Sequence, residues 1–96
     1  MVRLRSHPGE ILAIEFMEPL GLSARALAQA IGVPANRISE IAREHRDISA
    51  DTAIRLGRYF GTSAQFWLNL QVARDLSKAE RENDYSAVEP REAAAA

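Results

Sequence analysis

LSARALAQAIGVPANRISEIA, spanning Leu22 to Ala42, contains two short helical periods hinged on one glycine. Ser23 is placed to cap a helix over Ala24 to Ile31, with Leu22 and Leu27 at the spacing of a hydrophobic staple that fixes the entry angle. Gly32 supplies the left-handed conformation that a Cβ resists, so this helix ends there and the chain turns sharply. A second helix begins at Pro34 or Ala35, and Val33 and Ile38 repeat the staple spacing. Its inward face is Ile38, Ile41 and Ala42, which leaves Asn36, Arg37, Ser39, Glu40 and Arg43 outside. Ala28 is small enough to let the two helices approach, and Ile38 and Ile41 then lock the second against the first.

Outward from this unit the helical period continues in both directions, and no stretch alternates as a strand would. Upstream, a helix is expected from near Pro8 to about Met17, burying Ile11, Leu12 and Phe16, with Pro19 stopping it. Downstream, Glu44 to Ile48 form a charged loop. Ser49 then caps a fourth helix whose Ala53, Leu56, Gly57 and Phe60 share a face, and Gly61 closes it. Ser63 caps a fifth helix reaching about Asp75 or Leu76, with Phe66, Trp67 and Leu70 at helical spacing. Beyond Ser77 the pattern decays into charge, Pro90 and four terminal alanines. The reading is an all-α, five-helix domain over residues 1–76 and an acidic, flexible tail over 77–96.

Composition sets the limits of function. Ninety-six residues fit one core, and 47% hydrophobic against 26% charged residues is the balance of a folded chain. The absence of cysteine excludes disulfides, zinc fingers and thiol chemistry, and suits a reducing compartment. Apolar runs are too short to span a bilayer and Met1 to Arg5 lack a signal-peptide core, so a cytoplasmic protein without membrane attachment is expected. The net charge of −1 hides an asymmetry. In the tail, Lys78, Arg81 and Arg91 face Glu80, Glu82, Asp84, Glu89 and Glu92. In the centre, Arg25, Arg37, Arg43, Arg46, Arg55 and Arg58 outnumber Glu40, Glu44, Asp47 and Asp51. All these central cations are arginine, the side chain shaped for bidentate contacts to phosphate or guanine.

Two short helices about a tight glycine turn, the second with a polar outer face, are what a helix-turn-helix requires. Leu22 to Ala42 resembles the DNA-binding unit of the phage repressor and Cro superfamily, the xenobiotic-response-element type. Over residues 6–76 the chain is similar to the HigA/VapI family of antitoxins. The blocks that carry the likeness are HPGEIL (His7 to Leu12), EPLGLS (Glu18 to Ser23), GVPANRISEI (Gly32 to Ile41), ISADTAIRLGRYFGTS (Ile48 to Ser63) and FWLNLQ (Phe66 to Gln71). This resemblance implies a repressor-like homodimer that binds a palindromic operator, represses its own operon and neutralises a HigB-like, RelE-type messenger-RNA endonuclease.

By position in the motif, Asn36, Arg37, Ser39 and Glu40 are candidates for base edges. Arg37 is suited to guanine, Asn36 to adenine, and Ala35 to a thymine methyl. Glu40 either accepts from cytosine or orients Arg37 or Arg43. Ser23 and the amides after it suit a phosphate, while Arg43 and Arg46 either clamp the DNA backbone or pair with Glu44 and Asp47. In the fifth helix Phe66, Trp67, Leu68 and Leu70 cover more than one face, so these residues with Val72 are candidates for a dimer interface, Leu68 and Val72, one face round from the core side, being the better ones. Trp67 reads either as core or as interface anchor. For toxin contact, Met1 to Arg5, the first helix and the acidic tail are all available.

Other classes fit less well. His7, His45 and thirteen carboxylates show no base-and-orienter spacing, no metal-ligand spacing and no glycine-rich phosphate loop, so neither catalysis nor a cofactor is expected. An interaction module without DNA affinity and an orphan phage-type regulator without a toxin remain as alternatives.

Overall fold

The computed structural model describes residues 2–92; Met1 lies outside the described residues, as do the four terminal alanines for which the sequence predicts mobility. Regular structure among the described residues is helical throughout. The elements are α1 (Pro8–Ile11), a π-helical continuation (Leu12–Met17), a 3-10 turn (Glu18–Leu20), α2 (Ala24–Ile31), α3 (Ala35–Ala42), α4 (Ala50–Phe60) and α5 (Ala64–Glu82).

Local chemistry explains most of the boundaries. The hydroxyls of Ser23, Ser49 and Ser63 accept the backbone N–H of Ala26, Thr52 and Phe66, so α2, α4 and α5 each open on a capped turn. His7 caps α1 in the same way, its Nδ1 accepting the Gly9 N–H at 2.9 Å, and Pro8 occupies a first-turn position where no N–H is needed. Gly32 ends α2 at a φ of 77°, and the Val33 N–H reaches back to the Ala28 carbonyl at 3.0 Å.

One expected winding and one expected boundary change. The run from Pro8 to Met17 is one continuous helix in extent, but from Leu12 it widens to i→i+5 winding, with the Glu18 N–H bonded to the Ala13 carbonyl. That winding brings residues four and five apart to one side, so Leu12, Phe16 and Met17 all turn inward. At the other end α5 runs to Glu82 instead of stopping near Asp75 or Leu76, which puts the expected domain boundary inside a helix. The reason is a seam with the N-terminal segment: Ser77 is buried, accepts the Arg5 N–H at 3.0 Å and donates to the Arg74 carbonyl. Arg74 in turn donates to the Arg5 carbonyl at 2.9 Å. Beyond Glu82 the described residues are exposed, with an Asx turn in which Ser86 donates to Asp84 and holds that carboxyl below its usual range.

The core joins every helix. Leu12, Leu27, Ile38, Ile41, Leu56 and Trp67 are fully buried, with Phe16 tilted against both Phe60 and Trp67 at centroid distances of 5.0 and 4.9 Å. Trp67 completes its burial by donating Nε1–H to Thr62 at 2.8 Å. Close backbone approach seats α1 on α3: a Cβ at Gly9 would overlap the Ile41 carbonyl. The loop after α3 is tied down by Gln71, whose carboxamide oxygen accepts the buried Ile48 N–H at 3.0 Å while its nitrogen donates to Asp47 and Asp75. Gly9→Ala is therefore expected to cost about 1–3 kcal/mol through forced separation of α1 from α3. Urea denaturation reads this directly, and a variant as stable as the parent would contradict the contact.

Candidate nucleic-acid interface

α3 has eight residues, and its two sides differ completely. Ile38 and Ile41 have no exposed surface, whereas Ala35 and Asn36 stand open at the first turn. Arg37 is half-buried on the same end, its Nη1 3.8 Å from Asp51 Oδ2. Ser39 and Glu40 are also half-buried. The Ser39 hydroxyl donates to the Asn36 carbonyl at 3.2 Å, so its proton is spent on its own helix and only its acceptor capacity faces outward.

Glu40 has a partner other than those the sequence offered. Its Oε1 accepts from Nε of Arg46 at 2.8 Å, with Nη2 of the same guanidinium in ion-pair contact, also at 2.8 Å, and neither Arg37 nor Arg43 pairs with it. The backbone causes this: Glu44 takes a left-handed φ of 64°, the His45 N–H closes on the Glu40 carbonyl at 2.8 Å, and the chain folds back so that Arg46 lies beside α3. Asp47, the other partner considered for Arg46, is turned instead towards Gln71 and the buried His7, whose Nε2 lies 3.8 Å from it. Arg43 is exposed at the end of α3 and, like Arg25 and Arg58, has no ion pair among the described residues. Ser23 is exposed at the start of α2, with its oxygen accepting the Ala26 N–H.

The sequence reading missed Arg55. Its Nη1 donates to the Ile31 carbonyl at 2.7 Å and to the Gly32 carbonyl at 3.4 Å, while Nε donates to Asp51 at 2.9 Å. A side chain of α4 thus satisfies the carbonyls exposed at the glycine turn and holds the α2–α3 junction. The one visible sequence signal was the i, i+4 spacing of Asp51 and Arg55.

On α5 the expected interface residues separate. Trp67 is fully buried inside the monomer and offers no surface to a partner, which corrects its place among the interface candidates. Leu68 and Leu70 are half-buried, Phe66 is exposed at its edge, and Val72 is 54% exposed. Leu76, 59% exposed and four residues beyond Val72, extends the stripe that Leu68 and Val72 begin; its spacing from Val72 was visible in the sequence, but the reading stopped at Val72.

Comparison with known proteins accords with this geometry. The helix-turn-helix family matches residues 14–67. Virulence-associated protein I of Dichelobacter nodosus is 60% identical over 76 residues, which cover 79% of this chain and 70% of that protein. Among solved structures, Pseudomonas aeruginosa PA4674 in complex with its 18-bp operator DNA is 49% identical, with a TM-score of 0.88 over 95% of this chain and all of that one. The Pseudomonas aeruginosa antitoxin HigA, solved with the higBA promoter, is also 49% identical, with a TM-score of 0.77 over 88% of this chain and 99% of its own.

Arg55→Ala removes the donor that satisfies the Ile31 carbonyl and is expected to cost about 1–2 kcal/mol, the range for a hydrogen bond to a charged but partly solvated group. Amide exchange should accelerate first at Gly32, Val33 and Arg37, whose N–H groups are bonded to the Ala28 and Pro34 carbonyls at the turn. Uniform acceleration across all helices would show that Arg55 supports the whole body and not the turn.

Proposed function

The chain belongs to the helix-turn-helix family, to its HigA and virulence-associated protein I group, and on that premise we propose that it is an operator-binding autorepressor and the antitoxin of a HigBA-type system. It is a binding protein, not an enzyme. The observation that carries the DNA half is the division of α3: an apolar side with no exposed surface at Ile38 and Ile41, and an open end carrying Ala35, Asn36 and the Arg37 guanidinium. A helix so anchored presents those groups at fixed positions, which is what reading a major groove demands. Likeness to relatives solved on operator and promoter DNA supports the same reading.

In this mechanism Arg37 meets guanine, Asn36 meets adenine and Ala35 touches a thymine methyl. Ser39 contributes an acceptor. Arg46, held by Glu40, and the exposed Arg43 meet phosphates on either side of the groove, and Ser23 with the first amides of α2 meets another. Positioning by phosphate contacts explains how a chain of net charge −1 can bind an anionic duplex: the cations are few but placed. Two copies bind a palindrome, with recognition helices about 34 Å apart. The apolar stripe of Leu68, Val72 and Leu76 joins the copies. Neutralisation of a HigB-like endonuclease completes the antitoxin role, and the protein acts in the cytoplasm, where both DNA and toxin are met.

Gel-shift titration on the chain's own upstream DNA, with and without the neighbouring gene product, tests this directly. Saturable operator binding and a stable complex with the neighbour support both halves, whereas operator binding with no complex leaves an orphan regulator. Arg37→Ala should cost about 1–3 kcal/mol and relax preference at one base pair, while Arg46→Ala should weaken all sequences alike and reduce the salt slope by about one. Val72→Glu should give a monomer by sedimentation at micromolar concentration and lose operator affinity; a dimer unchanged by it would place the seam elsewhere.

A further inference from the structure

The Oδ2 atom of Asp51 lies 2.9 Å from Arg55 Nε and 3.8 Å from Arg37 Nη1, so one carboxylate oxygen serves two guanidinium groups. Arg55 cannot move freely, because its Nη1 is committed to the carbonyls of Ile31 and Gly32. Asp51 in turn is held in the first turn of α4, next to the Ser49 cap. The result is a line of contacts from the glycine turn through Arg55 and Asp51 to the end of Arg37. We infer that Asp51 is a specificity-determining positioning residue, which buttresses Arg37 for bidentate capture of a guanine without itself touching a base. This rests on the proposed role of Arg37 in base reading.

Two physical effects follow from the placement. A long flexible arginine normally loses rotamer freedom when it docks, and a carboxylate that limits the swing of one Nη removes part of that loss before DNA arrives. The pairing uses only one edge of the guanidinium and is long, so the remaining N–H donors stay available for the two acceptors of guanine. The same carboxylate also stands against the phosphates that any sequence presents, and it occupies Arg37 when no guanine is there to take it. Asp51 therefore strengthens binding to the right site and weakens binding to the wrong ones, which is how a discriminating contact differs from a merely adhesive one.

The test is a cycle of Arg37→Ala, Asp51→Ala and the double variant, each titrated against operator and scrambled duplex, with thermal unfolding measured in parallel. Asp51→Ala is expected to lower operator affinity on the order of tenfold, within the discrimination of one bidentate pair, and to leave scrambled-duplex affinity equal or higher. In the Arg37→Ala background, Asp51→Ala should have no further effect on the ratio of the two affinities. A proportional fall on both duplexes, or the same loss of discrimination with and without Arg37, would reduce Asp51 to a structural role and overturn the inference. If the parent protein itself shows no operator preference, the DNA-binding reading fails; if the parent discriminates and Asp51→Ala discriminates equally, only the Asp51 inference fails.

Discussion

An eight-residue helix has no stability of its own in water, because nucleation costs more than so few hydrogen bonds return. α3 exists because Ile38 and Ile41 are sealed into a core that also holds Leu12, Leu27, Leu56 and Trp67. Every other feature of the outward side of α3 depends on that burial. The side chains that face outward are displayed by default, since the opposite side has no freedom to rotate. The helix is then fixed at both ends by contacts outside itself: Gly9 of α1 lies against its last turn, and Arg55 of α4 holds the turn that leads into it.

Charge is organised by the same economy. The chain has nearly balanced charge, and two of the carboxylates closest to α3 are already engaged with arginines, Glu40 with Arg46 and Asp51 with Arg55 and Arg37. Exposed pairs of this kind add little to folding stability, of order 0–1 kcal/mol each. Their effect is on geometry: they decide where a guanidinium waits. A surface built this way relies on placement where a strongly basic protein would rely on field strength.

What could be read from the sequence was local in origin. Serine caps and glycine stops act within a few residues, so α2, α3 and α4 were delimited to within a residue or two by Ser23, Gly32, Ser49 and Gly61. Inward faces were legible for the same reason. What escaped involves partners far apart in the chain or across a loop. Arg55 to Ile31, Gln71 to Ile48 and Ser77 to Arg5 leave no periodic trace, and Glu40 meets Arg46 at a spacing no helix provides. Ser77 looked like the end of a pattern because a serine in a helix is neutral until its distant partner is known. Trp67 was ambiguous because cores and interfaces prefer the same large ring, and only its burial against Phe16 and its bond to Thr62 separate the two.

The seam between the N-terminal segment and α5 joins positions 72 residues apart. A chain made from its amino end has α2 and α3, and then the Leu56 and Trp67 that help bury Ile38 and Ile41, before the segment around Arg5 has its partners to rest on. Closure of the body waits for Arg74 and Ser77 to be synthesised, and such distant pairings are the slow part of folding for small domains. Translation therefore delivers the helix-turn-helix first and its lock last. A transcript cut short before codon 74 would yield a polypeptide with α3 but without the clasp that unites its two ends.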